Sequence, residues 1–253
     1  MLIHKRRSGQ PQGAFKLRSD LGFDSFILPG VGADLVTGAP VIMGGMQSVG
    51  QSANGNTFAG STTDTSSTAW TIPNSSNFLS TTEATVLIAG KLIARFGSGA
   101  GSFGVASGDL DVSKGIGAYI PYSDGKIYWD FGGETEGTTR LSVAGLTFSS
   151  GDVFVFTTGP RGMEIWQNGK RVASNSANPT RTASSKAFGL RGHYFTGHDP
   201  FACFAFGYSR KQMPQSVCAA LGRDLWGAAF VQRRRGIIAG IAAAARRRVV
   251  FWG

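Results

Sequence analysis

The sequence predicts an all-β fold, built as a sandwich of antiparallel strands. Three observations predict it. Residues 152–174 read as strand, turn, strand, turn, strand. Turn signals recur about every ten residues through the middle of the chain, the spacing of a sandwich or barrel and not of βαβ units. Glycine makes up 37 of the 253 residues and is joined by many serines and threonines, which suits a fold with many short turns.

Along the chain, residues 1–20 read as a basic N-terminal arm, because His4-Lys-Arg-Arg and Gln10-Pro-Gln-Gly have no period and little to bury. Residues 21–60 lead into the sandwich, with a turn over residues 37–40 between short β segments. Residues 44–82 are rich in Gly, Ser, Thr and Asn. Short strands fall there at 56–59 and 69–72, with no readable register. A long strand follows at 84–96, with a bulge expected at Gly90. Strands at 101–107, 115–121, 126–131 and 138–144 continue the ladder, with Ser123-Asp-Gly as one of the turns between them.

In the 152–174 segment, Val153, Val155 and Thr157 alternate with Phe154, Phe156 and Thr158, a β-branched and aromatic run that favours extended backbone. Gly159-Pro160-Arg161-Gly162 is a turn in which Pro160 sets φ and the glycines lack the Cβ restriction. Met163, Ile165 and Gln167 then point one way, and Glu164 and Trp166 the other. Asn168-Gly169 makes the next hairpin, since both central residues of a type I′ turn need positive φ. Strands at 187–191 and 201–208 complete the pattern. One short closing helix is expected at 213–225, with Pro214 suited to its first turn and Val217, Leu221 and Leu225 recurring every four residues. Residues 233–248 carry a second helical pattern, weakened by two glycines.

The net charge of +10 is unevenly placed. Residues 1–20 carry +4, residues 231–253 carry +6, and residues 21–230 hold 14 basic and 14 acidic side chains. A neutral body does not suit a nucleic-acid groove, and basic arms suit attachment to something acidic. The partner-anchoring candidates are Lys5, Arg6, Arg7, Arg233, Arg234, Arg235, Arg246, Arg247 and Arg248, with Phe251 and Trp252 as apolar anchors. The arginines lack interleaved aromatics and any recognised nucleic-acid motif, which argues against nucleic acid as partner. Cys203 and Cys218 form no disulfide framework and no metal spacing. No apolar core of a signal peptide precedes Gln10, and the longest apolar stretch, 236–245, is about half of what spans a bilayer. A soluble chain made in the cytosol is expected, with no cofactor and no membrane span.

Three segments carry a family resemblance: Trp166-Gln-Asn-Gly-Lys-Arg-Val-Ala, Phe188-Gly-Leu-Arg-Gly, and Phe204-Ala-Phe-Gly-Tyr-Ser-Arg-Lys-Gln-Met-Pro-Gln-Ser-Val-Cys-Ala-Ala-Leu. Their order resembles the concanavalin A-like jelly roll, in particular the laminin-G-like domains of bacteriophage virions. Gln10-Pro-Gln-Gly and Asp34-Leu-Val-Thr-Gly resemble the start of such phage proteins, and Pro214-Gln215 departs from the family's acidic helix start. The resemblance implies a jelly-roll sandwich of two antiparallel sheets over 21–230, between an N-terminal arm (1–20) and an Arg-rich C-terminal arm (231–253). It also implies a non-enzymatic virion protein, a head decoration, head fibre or tail component, made in the host cytoplasm and held by other capsid or tail proteins in a symmetric assembly.

Two other functions compete with that reading. A glycan-binding tail module needs exposed aromatics rimmed by polar groups. Tyr119, Tyr122, Tyr128 and Trp129 cluster around one hairpin, with Tyr122 and Trp129 as the candidates, although Tyr128 and Trp129 must face opposite sides of their strand. The 192–200 loop adds His193, Tyr194, His198 and Asp199. A glycan-degrading enzyme needs paired carboxylates. The nearest approach, Asp130-Phe-Gly-Gly-Glu134-Thr-Glu136, is interrupted by two glycines and reads as a solvated hairpin. No catalytic residue and no metal ligand are therefore assigned.

Overall fold

The computed structural model describes residues 16–28, 33–43, 47–52, 55–59, 69–72, 79–92, 103–106, 111–122, 124–149, 151–184, 188–192 and 201–231. The strands in chain order are β1 (Lys16–Leu17), β2 (Ser25–Ile27), β3 (Ile42–Met43), β4 (Gln47–Ser52), β5 (Gly55–Ala59), β6 (Ala69–Ile72), β7 (Ala84–Leu92), β8 (Phe103–Ala106), β9 (Ile116–Ile120), β10 (Ile127–Phe131), β11 (Arg140–Val143), β12 (Asp152–Thr158), β13 (Glu164–Gln167), β14 (Lys170–Ser174), β15 (Phe188–Gly192), β16 (Phe201–Ser209) and β17 (Phe230–Val231). Two helices, α1 (Gln215–Arg223) and α2 (Leu225–Ala229), precede β17.

The strands form an all-β sandwich. One sheet has seven strands in the order β11-β10-β9-β8-β15-β6-β3, the other six in the order β14-β13-β12-β7-β16-β2, and every pairing within them is antiparallel. Two small two-stranded ribbons, β1-β17 and β4-β5, are hydrogen-bonded to neither of these sheets.

Strand alternation divides the core into two layers. Val86, Ile88, Phe154, Phe156, Ile165, Phe206 and Tyr208 face inward from the six-stranded sheet and pack on Ile116, Ala118, Ile120, Ile127, Trp129, Phe131 and Leu141 of the seven-stranded sheet. The other face of the six-stranded sheet carries Leu87, Ala89, Val153, Val155 and Trp166, and Phe23, Phe26, Met213, Cys218, Leu221, Leu225, Ala229 and Phe230 cover it. This is why Val153 and Val155 alternate with Phe154 and Phe156: both faces of β12 are buried. Each fully buried Phe is worth roughly 1.5–3 kcal/mol of removal from water.

Buried polar groups are tied in. Glu164, 1% exposed, accepts from Thr157 Oγ1, Trp166 Nε1, Arg171 Nη1 and Gln215 Nε2. Asp152 accepts from Ser149 and from Asn168 Nδ2, while Asn168 Oδ1 accepts from the Val153 amide. The Arg181 guanidinium donates to the Ser80, Lys114 and Thr182 carbonyls and so joins three loops.

The meander forms as the residues require. Asn168 and Gly169 take φ of 51° and 80°, the type I′ signature, and the Gly162 amide donates to the Gly159 carbonyl at 2.8 Å across the preceding turn. Four features differ from the sequence reading. The irregularity expected at Gly90 lies on the neighbouring strand: the β7–β12 ladder runs through Gly90, and the register with β16 slips between Cys203 and Ala205. A single closing helix becomes two, because Asp224 leaves helical geometry and its carboxylate accepts from the Gly227 amide at 3.0 Å to start α2. Residues 16–20, read as part of the arm, lie on the body: β1 pairs with β17 and the Arg18 amide donates to the Ala229 carbonyl. Trp129, a candidate ligand-binding residue, is wholly buried. Ile127 and Phe131 flank it at period two on the inward side of β10, and its Nε1 donates to Thr157 O and Thr158 Oγ1 of the opposite sheet.

Cys218 is a buried free thiol, so the two cysteines do not pair. Desolvation pushes it up to about 12, with Glu164 adding to the effect. No described helix is long and apolar enough to cross a membrane.

Candidate functional site

The six-stranded sheet is covered on both sides, and the face of β9, β10 and β11 turned away from the core carries a polar and aromatic cluster that is partly exposed. Register decides what stands there. Tyr119 pairs with Tyr128 and Gly117 with Asp130, while Tyr128 and Asp130 pair with Ser142 and Arg140 on the other side. Since the core-facing residues of these strands are Ile116, Ala118, Ile120, Ile127, Trp129, Phe131 and Leu141, the alternate residues Gly117, Tyr119, Tyr128, Asp130, Arg140 and Ser142 share the opposite face.

Three tyrosines form the centre. The Tyr122 ring meets Tyr119 edge to face at 5.8 Å and Tyr128 at 5.4 Å. Tyr119 folds back over Gly117, where a Cβ would fall 2.7 Å from its ring, so the glycine lets the ring lie close to the sheet. The β9–β10 turn places the rest: Tyr122 N donates to Lys126 O at 2.7 Å, the Lys126 amide donates to Asp124 Oδ1 at 3.0 Å, and Tyr128 Oη donates to Asp124 Oδ2 at 2.5 Å. Burial and that bond push the Tyr128 hydroxyl up to about 12. Partial desolvation works against the Asp124 carboxylate, but the hydrogen bonds from Tyr128 and the Lys126 amide outweigh it and hold Asp124 below its ordinary range.

Arg140 is the keystone of the rim. Its Nε and Nη2 donate to the two oxygens of Asp130, both at 2.6 Å, in a bidentate fork. Glu134 Oε2 lies 3.7 Å from Nη2, and the guanidinium carbon sits 4.6 Å from the Tyr128 ring centroid. The turn after β10 makes this possible: Thr135 O accepts from the Thr138, Thr139 and Arg140 amides, which returns the chain with Arg140 opposite Asp130. Asp130 is 4% exposed. Desolvation outweighs Arg140 there, and with Glu134 and Glu136 nearby pushes Asp130 up to about 6. Glu136 accepts from the Ser142 amide at 3.1 Å.

Chemically, this surface offers ring faces and edges for the C–H faces of a flat ligand, carboxylate and hydroxyl oxygens that accept, and Lys126 and Arg140 that donate. Of the sequence candidates, Tyr122 stands in this cluster and Trp129 lies beneath it in the core. Asp130, Glu134 and Glu136, read as a solvated hairpin, divide: Asp130 is buried against Arg140, and Glu134 and Glu136 are exposed. Arg140 was missed. Its signal is an opposite charge to Asp130 across a hairpin, a pairing that becomes visible only with the register. His193, Tyr194, His198 and Asp199 lie outside the described residues, as do Lys5, Arg6, Arg7, Arg233, Arg234, Arg235, Arg246, Arg247, Arg248, Phe251 and Trp252. Among the described residues no group of three or more His, Cys, Asp or Glu could hold a metal.

No protein-family model matches the sequence, and no curated protein matches it. Solved structures do match in fold. The chain is similar to the binding domain of botulinum neurotoxin serotype G (12% identity, TM-score 0.60), covering 79% of this chain and 50% of that one. It is similar to the binding domain of Paraclostridial Mosquitocidal Protein 1 (15% identity, TM-score 0.59), covering 79% and 52%. It is also similar to Trypanosoma rangeli sialidase (12% identity, TM-score 0.58), covering 82% and 33%. The chain thus spans about half the length of the toxin domains and a third of the sialidase. At these identities the likeness is one of fold.

Proposed function

We propose that this chain is a non-enzymatic bacteriophage virion protein whose sandwich binds surface glycans, attached through its basic terminal segments to other capsid or tail proteins. The observation that carries the glycan reading is the tyrosine cluster on the outer sheet face, where Tyr122 and Tyr128 are partly exposed beside a buried Tyr119 and are rimmed by Asp124, Lys126, Glu134 and Arg140. Sugars are recognised by aromatic rings under their C–H faces and by polar groups at their hydroxyls, and this face supplies both. Two of the proteins similar in fold are toxin binding domains, which supports a recognition module without fixing its ligand. The virion setting rests on the resemblance of the meander, the late Gly-Arg strand and the closing helix to phage domains, and on a charge excess confined to the terminal segments.

A glycan-degrading activity is the weaker reading. Asp130 has the raised pKa of a general acid, but Arg140 occupies both its oxygens. Release of reducing ends from a polysaccharide, abolished by Glu134→Gln, would establish it.

A glycan array followed by calorimetry tests the main reading. Tyr122→Ala is expected to weaken binding at least about fivefold with little change in thermal unfolding, because Tyr122 is only partly buried and losing an aromatic hot-spot side chain costs more than about 1 kcal/mol. An array with no signal, or a signal indifferent to both Tyr122→Ala and Tyr128→Ala, would refute it.

A further inference from the structure

Both cations of the tyrosine face are already engaged with carboxylates. Arg140 gives Nε and Nη2 to Asp130, and Nη2 lies 3.7 Å from Glu134. Lys126 Nζ lies 3.8 Å from Asp124 Oδ2. Glu136 is the fourth acid. Its carboxylate accepts from the Ser142 amide, and Ser142 pairs with Tyr128 across the β10–β11 ladder. Among the described residues no cation pairs with Glu136. Asp124, Asp130, Glu134 and Glu136 therefore stand against Lys126 and Arg140 alone, a surplus of two negative charges when all are ionised.

The tyrosine hydroxyls register that surplus. An ionised hydroxyl is a negative charge placed on this face, and the face opposes it. Burial first, then Asp130 and Glu134, push Tyr119 well above the ordinary tyrosine range. At Tyr128 burial again comes first and Asp124 next, with Glu136 adding to them. Arg140 acts the other way at both rings, outweighed by Asp130 at Tyr119 and by Asp124 at Tyr128. Cations farther off do not restore the balance. Lys114, just before β9, is paired with Asp111 at 3.5 Å. Arg191 of β15 stands in the register row of Tyr119, two strands away across Gly104, about 10 Å off and at the range where salt screens exposed charges.

We infer that this face takes uncharged glycans and discriminates against those bearing a carboxylate or sulfate, with Glu136 as a residue that sets the choice. A sugar acid stacked on Tyr122 or Tyr128 would bring its charge beside these carboxylates, and either cation would have to loosen from a carboxylate to receive it. Neutral hydroxyls meet no such cost, because the carboxylates accept from them. This selectivity rests on the glycan reading of the face.

The test uses the full chain on an array of matched neutral and acidic oligosaccharides, lactose with sialyllactose and cello-oligosaccharides with oligoglucuronates among them, followed by calorimetry on the pairs that bind. Only the binding lost in Tyr122→Ala is counted, which sets aside any attraction of acidic sugars to the basic terminal segments. The neutral member of a pair is expected to bind at least about fivefold tighter than the acidic one. Glu136→Gln keeps an acceptor for the Ser142 amide while removing the charge, and is expected to narrow that gap about two- to fivefold. Glu136→Lys should narrow it further. Tyr122-dependent binding of acidic sugars as tight as that of their neutral partners, or a gap that neither Glu136 variant moves, would overturn the selectivity and leave the glycan reading standing. No Tyr122-dependent signal from any sugar on the array would sink the proposed function, and this selectivity with it.

Discussion

Asp130 sits where burial and charge pull in opposite directions. An ordinary Asp titrates near 3.8, and burial pushes this one to about 6 although Arg140 holds both its oxygens. The folded state therefore binds this proton more tightly than the unfolded chain does. The stabilisation from that proton is complete below about pH 4 and is withdrawn as pH rises through about 6. Carbon NMR of the Asp130 carboxyl should show a midpoint near 6, and Asp130→Asn should remove this residue's fall in stability between those limits; a midpoint below 4 would contradict the account. The sequence placed three tyrosines around one hairpin, and they do meet. It left open which of Tyr128 and Trp129 faces the core, because alternation sets opposition and not direction. The apolar pair Ile127 and Phe131 settles it in the fold. Arg140 could not be read because its value lies in a partner ten residues away.

At the scale of elements, the Asn168-Gly169 turn was legible and the reason for its glycine only half so. Gly169 needs positive φ, and it also receives α1: a Cβ on Gly169 would fall 2.6 Å from Ala219 O, and one on Gly222 would fall 2.1 Å from Gly169 N. Helix and turn touch backbone to backbone. Alanine normally gains about 1 kcal/mol over glycine inside a helix. Gly222→Ala should reverse that sign and cost roughly 1–3 kcal/mol, because the turn must move to admit the methyl group. Urea denaturation should show a lower midpoint at unchanged slope; a stabilised variant would disprove the contact. This long-range approach leaves no local mark in the sequence. The β4–β5 ribbon was obscure for a different reason. Its residues are mostly Gly, Ser, Thr, Asn and Gln, and with few apolar residues to alternate, no face declares itself.

At the scale of the molecule, the three-layer order follows from β12 and β7 being apolar on both sides. A sheet with two apolar faces needs a cover on each: the second sheet covers one, and the chain ends, folded over as β1, α1, α2 and β17, cover the other. The body is thereby closed by residues close to the charged segments, which explains why a division at residue 20 misplaces the start of the fold: Leu17 already packs on the second core layer. The same order separates two truncations. Ending the chain after Val231 keeps every described residue of both core layers, so it should fold with nearly the parent's thermal stability while losing six arginines. Ending it after Asp224 removes Leu225, Ala229 and Phe230 from the second layer and leaves β1 without its partner. Deleting one buried Phe costs about 3–5 kcal/mol, so losing all three approaches the whole stability of a typical domain. The shorter chain should lose cooperative unfolding by calorimetry. Equal melting of the two truncated chains would mean that the helix layer does not close the fold.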